Sequence, residues 1–389
     1  MKIVVTIPTY NEKDNIEKIV SKFIEEVFPK IKQHKMSILV IDDKSPDDTA
    51  QVVKKLMNKY SNIKLLSGDK EGLGAAYIRG MSYAIEKMGA DAVIEVDADL
   101  SHPPEKIIEF IKKMDEGYDT VIGTRYSNGG SIPKNWPINR KAFSVFGNLL
   151  VRIILLRPYI HDWTGGFKLI KKEVFLKEKK ELKNYNGYVF QVAFLHKTAR
   201  DSFKIAEVPY SFSDRTLGKS KIASGSYIIN VLNYIIRARI YESLHSPFLK
   251  YAITGFLGYL INAVALELFS QGIGLHSGIA AMLGAECAII WNFVVNNFWT
   301  FNDHKITNIW KVLFKFPQFN LVSIGSLAIT SSTVFIATHL FGDTLFVRQV
   351  SLAGAIGFLV IPYSYTMYNI FIWKRWRISF LSKIQEKIG

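Results

Sequence analysis

Cysteine is almost absent from this sequence of 389 residues: Cys287 is the only one, so no disulfide can form within the chain and no cysteine-based zinc site can exist. The apolar core of a signal peptide is also missing, because the short apolar run at the N-terminus ends at Pro8. The N-terminal part is therefore expected to stay in the cytoplasm. No zinc-finger, basic-zipper or RNA-recognition signature accompanies the formal net charge of +15, so we expect no nucleic-acid partner.

Charged residues are scarce in the last third of the chain. Residues 251–389 hold nine of the 49 Lys and Arg residues and five of the 34 Asp and Glu residues, and residues 251–301 contain no Lys or Arg at all. The first 250 residues therefore carry a net charge of +11 and the remainder +4. This uneven distribution excludes a wholly soluble globule and equally a chain embedded throughout in a membrane.

Four apolar stretches follow residue 250, at about residues 251–270, 278–301, 316–340 and 345–373. Each has roughly 20 residues or more, which suffices for a helix to cross a ~30 Å hydrocarbon core. Lys and Arg are absent from the loops at 271–277 and 341–344, whereas the loop at 302–315 contains three lysines and the tail is basic. By the positive-inside rule, the sequence predicts a multi-pass protein of the cell membrane whose N-terminal domain and both termini are cytoplasmic.

Two amphipathic stretches outside the spans suit a membrane surface. Residues 226–249 are mostly apolar but contain two arginines, so we expect interface helices that lead into the first span. Residues 138–160 carry too many charges to span a membrane and form either a core helix or, as we favour, a helix on the membrane surface. Within the spans, Glu267 and Glu286 are costly in lipid and are either functional groups or partners in helix-to-helix hydrogen bonds.

The first 125 residues alternate short β-branched runs with helical patterns. The predicted strands are residues 2–7, 37–41, 63–66, 92–96 and 120–123, and the predicted helices are residues 15–28, 49–60, 74–87 and 104–114. Apolar strands separated by helices indicate a parallel sheet covered by helices on both faces. Ligands of such sheets bind at the carboxyl ends of the strands.

Polar side chains follow three of these strands, at residues 9–12, 42–45 and 97–99. Asp97 and Asp99 stand two residues apart at a strand end and so project to the same side. Two carboxylates placed in this way form a site for a hard divalent cation, Mg²⁺ or Mn²⁺, which can also hold a diphosphate. An alternative is that Asp99 or Ser101 caps the helix predicted to begin at Pro104.

Four motifs in order resemble the family 2 glycosyltransferases of GT-A fold: Ile-Val-Val-Thr-Ile-Pro-Thr-Tyr-Asn-Glu at 3–12, Val-Ile-Asp-Asp-Lys-Ser-Pro-Asp at 40–47, Gly-Leu-Gly-Ala-Ala-Tyr at 72–77 and Val-Asp-Ala-Asp-Leu-Ser-His-Pro-Pro at 96–104. Within that family the sequence is similar to dolichyl-phosphate mannose synthases and related polyprenyl-phosphate glycosyltransferases. Residues 248–375 resemble the four-helix GtrA-like membrane domain often fused to such enzymes. The resemblance implies an α/β fold: a Rossmann-like, mixed but mostly parallel sheet with helices on both faces, followed by amphipathic interface helices and an all-α four-span domain.

The resemblance also implies domain boundaries and a reaction. We expect a GT-A domain at 1–225, interface helices at 226–249, the membrane domain at 250–375 and a basic cytoplasmic tail at 376–389. The implied activity is metal-dependent, inverting transfer of mannose from GDP-mannose to dolichyl or another polyprenyl phosphate, which gives dolichyl phosphate mannose and GDP for glycosylation. Two alternatives stay open: transfer of glucose from UDP-glucose, and a nucleotide-sugar-binding module fused to a lipid translocator.

Motif positions give the site residues that the resemblance implies. The donor nucleoside would contact Pro8, Tyr10, Glu12, Ile41 and Asp43. The diphosphate and metal would be held by Asp97, Ala98 and Asp99, with Ser101, where many relatives have Gln, as the third metal ligand. Gln191 would line the sugar or donor pocket, and Arg215 and Lys221 would lie beside the diphosphate. The acceptor phosphate would be bound by Arg125, Arg140 and Ser144, since a planar guanidinium fits a phosphate well. The residues expected to take part in catalysis are Asp99, Arg125, Arg140 and Arg215.

Overall fold

The computed structural model of this chain describes residues 1–183, 185, 187–214 and 225–376. The chain divides into two units, Met1–Arg239 and Ile240–Gly389. The division falls inside one helix, Gly225–Leu244, close to the point near residue 250 where charged residues become scarce.

The described residues of the first unit form a seven-stranded sheet. Its strands are β1 (Lys2–Thr9), β2 (Lys35–Asp42), β3 (Ile63–Ser67), β4 (Ala92–Glu95), β5 (Thr120–Thr124), β6 (Lys168–Lys171) and β7 (Ile205–Pro209). They lie in the order β3-β2-β1-β4-β6-β5-β7, and only β6 runs antiparallel to its neighbours. The expected mixed, mostly parallel sheet is confirmed, and the five predicted strands are present within two residues at each end. Strands β6 and β7 were not predicted from the sequence.

Helices cover the sheet. They are α1 (Lys13–Ser21), α2 (Thr49–Lys59), α3 (Leu73–Glu86), α4 (Ile107–Asp115), α5 (Ile138–Ile154), α6 (Lys172–Leu182), α7 (Gly187–Arg200) and α8 (Gly225–Leu244). A π-helical turn, Lys22–Val27, prolongs α1, and a 3₁₀ turn, Pro104–Lys106, precedes α4. The apolar residues of α4 at positions 107, 110, 111 and 114 are all buried, which is the spacing of a helix with one face against a core.

The alternation of side chains along β1 divides them between two cores. Ile3 and Val5 pack with Phe110 of α4 on one face of the sheet. Val4 packs with Tyr77 of α3 on the other. Burying a side chain of this size contributes roughly 1.5–3 kcal/mol, and a slip of one residue would exchange the two faces, so this packing fixes the register of the sheet.

Helix α5 exposes most of its apolar side chains. Only Asn148 and Val151 of this helix are buried. The exposed apolar residues are Ile138, Phe143, Val145, Phe146, Leu149, Leu150 and Ile153. The amphipathic stretch predicted at 138–160 is therefore a helix whose apolar side is not covered by the described part of the first unit.

The described residues of the second unit include four helical segments that are long and apolar enough to cross a membrane: Pro247–Gly272, Gly278–Thr300, Ile309–Phe341 and Leu345–Ile372. The first two begin with α9 (Pro247–Glu267) and α10 (Ser277–Val295), the third is α11 (Ile309–Phe341), and the fourth contains α12 (Leu345–Gly354) and α13 (Ile361–Met367). Short π-helical turns complete the first, second and fourth. The prediction of four spans is confirmed. Glu267 and Glu286 are both exposed on the surface of this unit.

The third span begins earlier than the sequence predicted, at Ile309 instead of residue 316. Asn308 is the reason, because its side chain accepts hydrogen bonds from the backbone nitrogens of Trp310 (2.9 Å) and Lys311 (3.3 Å). This cap satisfies amide groups that would otherwise lack partners at the start of the helix. The helix therefore starts within the polar loop and continues into the apolar stretch.

Candidate active site

The carboxyl ends of β1, β2 and β4 lie at one edge of the sheet. Strand β1 pairs with β2 in parallel, so that Pro8 lies opposite Ile41. On its other side β1 pairs with β4, with Thr6 opposite Glu95. The predicted nucleoside-binding residues Pro8 and Ile41 are therefore neighbours, and the segment that contains Asp97 leaves the sheet from the same edge.

Hydrogen bonds join the segments that follow β1 and β2. Asp42 accepts from the hydroxyl of Thr9 (3.1 Å) and from the backbone nitrogen and hydroxyl of Ser45 (3.1 and 2.6 Å). Asn11, which has a φ of 60°, donates its backbone N–H to the Ser45 hydroxyl at 3.0 Å. Glu12 accepts a 2.8 Å bond from an asparagine amide in α1. The two segments are thus held together before any ligand arrives.

Two predicted donor-binding residues have cationic partners that the sequence did not reveal. The carboxylate of Asp43 forms an ion pair with Arg79 of α3. Burial raises the pKa of Asp43 above its usual value although Arg79 opposes the shift. The ammonium group of Lys70 lies 3.3 Å from the centre of the Tyr10 ring, in a cation–π contact. Both cations come from the segment between β3 and the middle of α3.

Asp97 is oriented by two neighbouring side chains. Its Oδ1 lies 3.4 Å from the hydroxyl of Tyr77, which donates to it. Its backbone N–H donates to His102 Nδ1 at 3.2 Å, while His102 Nε2 lies 3.8 Å from Asp97 Oδ2. The imidazole stacks on Phe167, and burial lowers the pKa of His102 although the nearby aspartates oppose this. These contacts fit a role for His102 in orienting Asp97.

Asp99 shapes the turn that carries it. Its Oδ1 accepts the backbone N–H of Ser101 at 3.0 Å, and Leu100 between them has a φ of 61°. The helical turn Pro104–Lys106 begins after Pro103, which occupies the N-cap position. Neither Asp99 nor Ser101 therefore occupies that position, which corrects the alternative in which one of them does.

The oxygen atoms at this edge suit a hard divalent cation. Asp97, Asp99 and Ser101 offer two carboxylates and a hydroxyl, and Ala98 between the carboxylates is buried. A Cβ on Gly166 would lie 3.9 Å from Asp97 Oδ1, so the glycine keeps the space beside this carboxylate free of a side chain. Within the described ranges no group of three His, Cys, Asp or Glu residues forms a ready metal cage. A cation here would take its remaining ligands from substrate oxygens and water.

Gln191 belongs to a buried polar network beneath this edge. Its Nε2 donates to Glu95 Oε2 at 3.3 Å, and its Oε1 accepts from Lys168. The Lys168 ammonium also donates to the carbonyl of Gly165 at 2.6 Å and lies 3.7 Å from Glu95 Oε2. Burial raises the pKa of Glu95 to about 7 and lowers the pKa of Lys168. The predicted sugar-pocket residue is therefore held in one orientation.

Arg125, which follows β5, is fixed by Asp162. The guanidinium donates to both carboxylate oxygens at 2.7 and 2.8 Å and to the Thr164 hydroxyl at 2.9 Å. Asp162 also accepts the backbone N–H groups of Arg125 and Gly165 at 3.1 Å each. Burial disfavours the charged form of both side chains, but for each one the attraction of the oppositely charged partner is stronger than this effect. The pKa of Asp162 is therefore lowered and the pKa of Arg125 is raised.

The other two predicted acceptor residues lie on α5. Arg140 stacks over the ring of Trp136, with its guanidinium carbon 3.8 Å from the ring centre, and lies 3.5 Å from Asp214. The hydroxyl of Ser144 is hydrogen bonded to the hydroxyl of Tyr126, which directly follows Arg125. Helix α5 and the segment after β5 are therefore connected.

Arg215 and Lys221 lie outside the described residues. Three described residues that touch the predicted site had no assigned role in the sequence analysis: Arg79, Lys168 and His102. Their partners are distant in the chain, as with Arg79 and Asp43, which are 36 positions apart. The only local signal was a charged residue in an otherwise apolar context, such as Lys168 at the start of β6.

A mostly parallel sheet with an Asp-x-Asp turn at its carboxyl edge, followed by four candidate spans, is the arrangement expected of a membrane glycosyltransferase. Residues 4–177 match the family model described as Glycosyl transferase family 2. Residues 250–373 match the model described as GtrA/DPMS, transmembrane domain. The chain belongs to the family 2 glycosyltransferases and is a membrane protein, as its motifs and spans had indicated.

Two curated proteins are similar over most of their length. The chain is 36% identical over 318 residues to a dolichol-phosphate mannosyltransferase of Pyrococcus furiosus. This alignment covers 81% of this chain and 86% of that protein. It is 35% identical over 245 residues to a polyprenol monophosphomannose synthase of Mycolicibacterium smegmatis, and this alignment covers 61% of this chain and 89% of that protein. Among solved structures, glucosyl-3-phosphoglycerate synthase from Mycobacterium tuberculosis, crystallised with Mn²⁺, UDP-glucose and phosphoglyceric acid, aligns with a TM-score of 0.43 and 19% identity over 61% of this chain and 79% of that one.

Proposed function

We propose that this chain transfers a mannosyl group from GDP-mannose to dolichyl phosphate or another polyprenyl phosphate, with inversion at the anomeric carbon. The observation that carries the proposal is the union, in one chain, of the Asp97-Ala98-Asp99 turn with a four-span membrane domain. The Pyrococcus furiosus mannosyltransferase aligns with the chain over 86% of its length. Both curated relatives are named for mannose and neither for glucose or lipid translocation, so the two alternatives are not favoured.

The donor would bind at the carboxyl edge of the sheet. Its nucleoside would contact the residues predicted for it, namely Pro8, Tyr10, Glu12, Ile41 and Asp43. The hydrogen bonds between the segments after β1 and β2 support this, because they hold part of that surface in place. The cation–π contact of Lys70 and the ion pair of Arg79 would likewise fix two of its side chains. The sugar would lie near Gln191, which its buried network holds in one orientation.

The diphosphate would be held beside the Asp-x-Asp turn. Asp97, Asp99 and Ser101 would bind Mg²⁺ or Mn²⁺, and Arg215 and Lys221 would add positive charge. The leaving diphosphate gains negative charge as the glycosidic bond breaks, so cationic groups stabilise the transition state more than the ground state. When bound, the metal would act as a Lewis acid and neutralise part of this charge.

The acceptor needs a binding site more than it needs a base. The second pKa of a phosphate ester is about 6, so the attacking oxygen is largely ionised at neutral pH. Arg125, Arg140 and Ser144 would hold this anion against the repulsion of an anionic donor. The bidentate pair with Asp162 supports a fixed position for Arg125, and the bond between Ser144 and Tyr126 connects α5 to the segment that carries it.

The reaction would take place at the cytoplasmic face of the membrane. The lysines between the second and third spans support this orientation. The exposed apolar side of α5 supports contact between the catalytic domain, at 1–225, and the lipid surface. Interface helices at 226–249 would then lead into the membrane domain at 250–375, with the basic tail from 376 on the same side.

The proposal is tested with the full-length protein in proteoliposomes that contain dolichyl phosphate. GDP-mannose, UDP-glucose and other nucleotide sugars are supplied in turn with Mg²⁺ or Mn²⁺, and labelled lipid is extracted. We expect lipid-linked mannose from GDP-mannose, and a loss of at least about a hundredfold in Asp99→Ala, which removes a proposed metal ligand. If no lipid-linked mannose forms under any condition, the proposal is rejected. If glucose is transferred in preference to mannose, the proposed donor changes from GDP-mannose to UDP-glucose.

A further inference from the structure

We propose that Trp136 is a positioning residue for Arg140: the indole holds the guanidinium by its face and leaves its N–H groups available for the acceptor phosphate. The inference rests on the proposed function, because it assigns Arg140 to a phosphate. Trp136 lies two residues before the start of α5, and Arg140 lies in the first turn of that helix. The two residues are four positions apart, and the guanidinium of Arg140 lies over the indole ring.

The indole of Trp136 is itself fixed. Only 6% of the residue is exposed. Its Nε1 donates to both carboxylate oxygens of Asp214, at 2.8 and 2.9 Å. The ring also meets Phe212 edge to face, with centroids 5.7 Å apart. A buried ring with its polar atom satisfied and a second ring against it is a rigid surface, so it can set the direction of a flexible side chain that lies on it.

Arg140 is held without consuming its donors. Its guanidinium carbon lies 3.8 Å from the indole centre, which engages the π face and leaves the N–H groups in the plane free to bond. One terminal nitrogen forms an ion pair with Asp214 at 3.5 Å, and within the described part of the chain the other nitrogens of the guanidinium have no protein partner for a hydrogen bond. Arg125 differs, since it donates to Asp162 and to Thr164.

This difference separates the two arginines proposed for the acceptor. A guanidinium binds a phosphate through two parallel N–H···O bonds, which requires a free edge. Arg140 has such an edge, and its side chain is 27% exposed. A long side chain that is already held in one orientation also loses less entropy on binding than a freely rotating one. Loss of the stacking surface should therefore weaken the binding of the phosphate.

The test measures acceptor binding apart from catalysis. Full-length protein in detergent is titrated with farnesyl phosphate, and farnesol serves as the uncharged control. We expect Trp136→Leu to raise the Kd for farnesyl phosphate roughly five- to thirtyfold, the range of a partly desolvated cation–π contact, and Trp136→Phe to recover most of that loss. In the transfer assay the Leu variant should raise the KM for the lipid acceptor, with the KM for GDP-mannose unchanged.

A double-mutant cycle separates positioning from a general structural effect. In an Arg140→Ala background Trp136→Leu should cause no further loss of binding. The inference is overturned if the Leu variant binds as tightly as the parent protein, or if its loss is as large without Arg140 as with it. Should the Leu variant fail to fold, Arg140→Lys decides, because it keeps the charge without the planar stack; undiminished binding by that variant also overturns the inference.

Failure of the proposed function has a different signature. If the parent protein binds farnesyl phosphate in a manner that depends on Trp136 but transfers no mannose, the proposal that GDP-mannose is the donor is rejected. The proposed positioning role of Trp136 is then still supported. If it transfers mannose while the Trp136 variants bind normally, only the positioning role falls. If it does not prefer farnesyl phosphate to farnesol, the acceptor assignment and the inference fall together.

Discussion

At the scale of single residues, the ion pair between Arg125 and Asp162 is expected to have a large effect on stability. Their side chains are 10% and 0% exposed, and the pair is bidentate. Removal of one member of a buried ion pair leaves an uncompensated charge, which costs about 3–5 kcal/mol. We therefore expect Asp162→Asn, which keeps the shape of the side chain, to lower the free energy of unfolding by that amount. Denaturant unfolding of the purified protein in detergent measures it.

The pair formed by Lys44 and Asp69 provides a matched control. Its side chains are 68% and 76% exposed, so water and salt screen the attraction. Asp69→Asn should leave the unfolding curve almost unchanged. Equal effects of the two substitutions would contradict the claim that burial gives the Asp162 pair its importance.

Residues at the sheet edge were more predictable than their partners. The carboxyl ends of parallel strands lie at the same edge of a sheet, so the strand pattern predicted that the segments after β1, β2 and β4 lie together. The pairing of Pro8 with Ile41 was added by the structure. The partner of Arg125 does not follow from any pattern, because Asp162 is 37 positions away and lies in a segment with no regular periodicity. Pairings of this kind depend on how the whole chain folds.

At the scale of elements, α6 contains a carboxylate whose pKa is raised by burial. Glu178 is buried, and within the described residues neither of its oxygens has a hydrogen-bond partner. Burial raises its pKa from 4.5 to about 7; the charge of Asp201 adds to the shift, and Arg200 opposes it. The folded protein keeps this proton up to about pH 7, whereas the unfolded chain releases it near pH 4.5. Stability should therefore fall as the pH rises through that interval.

This pH dependence predicts a specific effect of Glu178→Gln. The variant has no proton to lose, so it should match the parent near pH 4.5 and unfold at a higher temperature above pH 7. Glu181, on the same helix, has its pKa lowered by hydrogen bonds to Arg200 and Lys197. Glu181→Gln should show the opposite sign, with a loss of stability at neutral pH that disappears in acid. Thermal unfolding from pH 4.5 to 8 decides, and parallel curves for Glu178→Gln and the parent would refute the prediction.

The packing of α3 against β2 depends on a glycine. A Cβ on Gly80 would collide with the buried side chain of Ile41. Gly80→Ala should therefore destabilise the fold by about 1–3 kcal/mol, the usual cost of overpacking. Because Ile41 is also a proposed nucleoside contact, the KM for the donor should rise as well. Denaturant unfolding and donor kinetics test the two effects.

Gly147 of α5 is the control for that substitution. A Cβ there would meet no atom within 4 Å. Alanine is a better helix former than glycine, so Gly147→Ala should stabilise the protein by about 0.5–1 kcal/mol. A similar loss of stability in both variants would mean that contact with Ile41 is not the cause.

The predicted and the missed strands differ in local pattern. Five strands stood out because each is a β-branched run bounded by polar turns. The four residues of β6 begin and end with lysine, and β7 ends at Pro209, which reads as a loop. Lys168 can enter the sheet only because Glu95 on the neighbouring strand supplies a buried partner. A tertiary ion pair of this kind overrides the local preference, so no window of sequence could have identified it.

At the scale of the whole molecule, composition carried most of the information. The fall in charge near residue 250 lies close to the start of the matched membrane domain and to the division between the two units. Net charge, in contrast, says little about fold, because the surplus of +15 includes both arginines that are proposed to bind phosphate and lysines of the membrane loops. Of these, only the loop lysines bear on which side of the membrane the active site lies.

The orientation can be tested with a membrane-impermeant maleimide on intact cells. In a Cys287→Ser background, single cysteines replace Gln271, at the C-terminal end of the first span, or Lys305, between the second and third; both positions are exposed. The positive-inside rule places the lysine-containing loop in the cytoplasm, so Q271C should be labelled from outside and K305C only after permeabilisation. The cysteine-free parent controls for background labelling. The reverse pattern would put the catalytic domain outside the cell, away from cytoplasmic nucleotide sugars, and would remove the proposed donor supply.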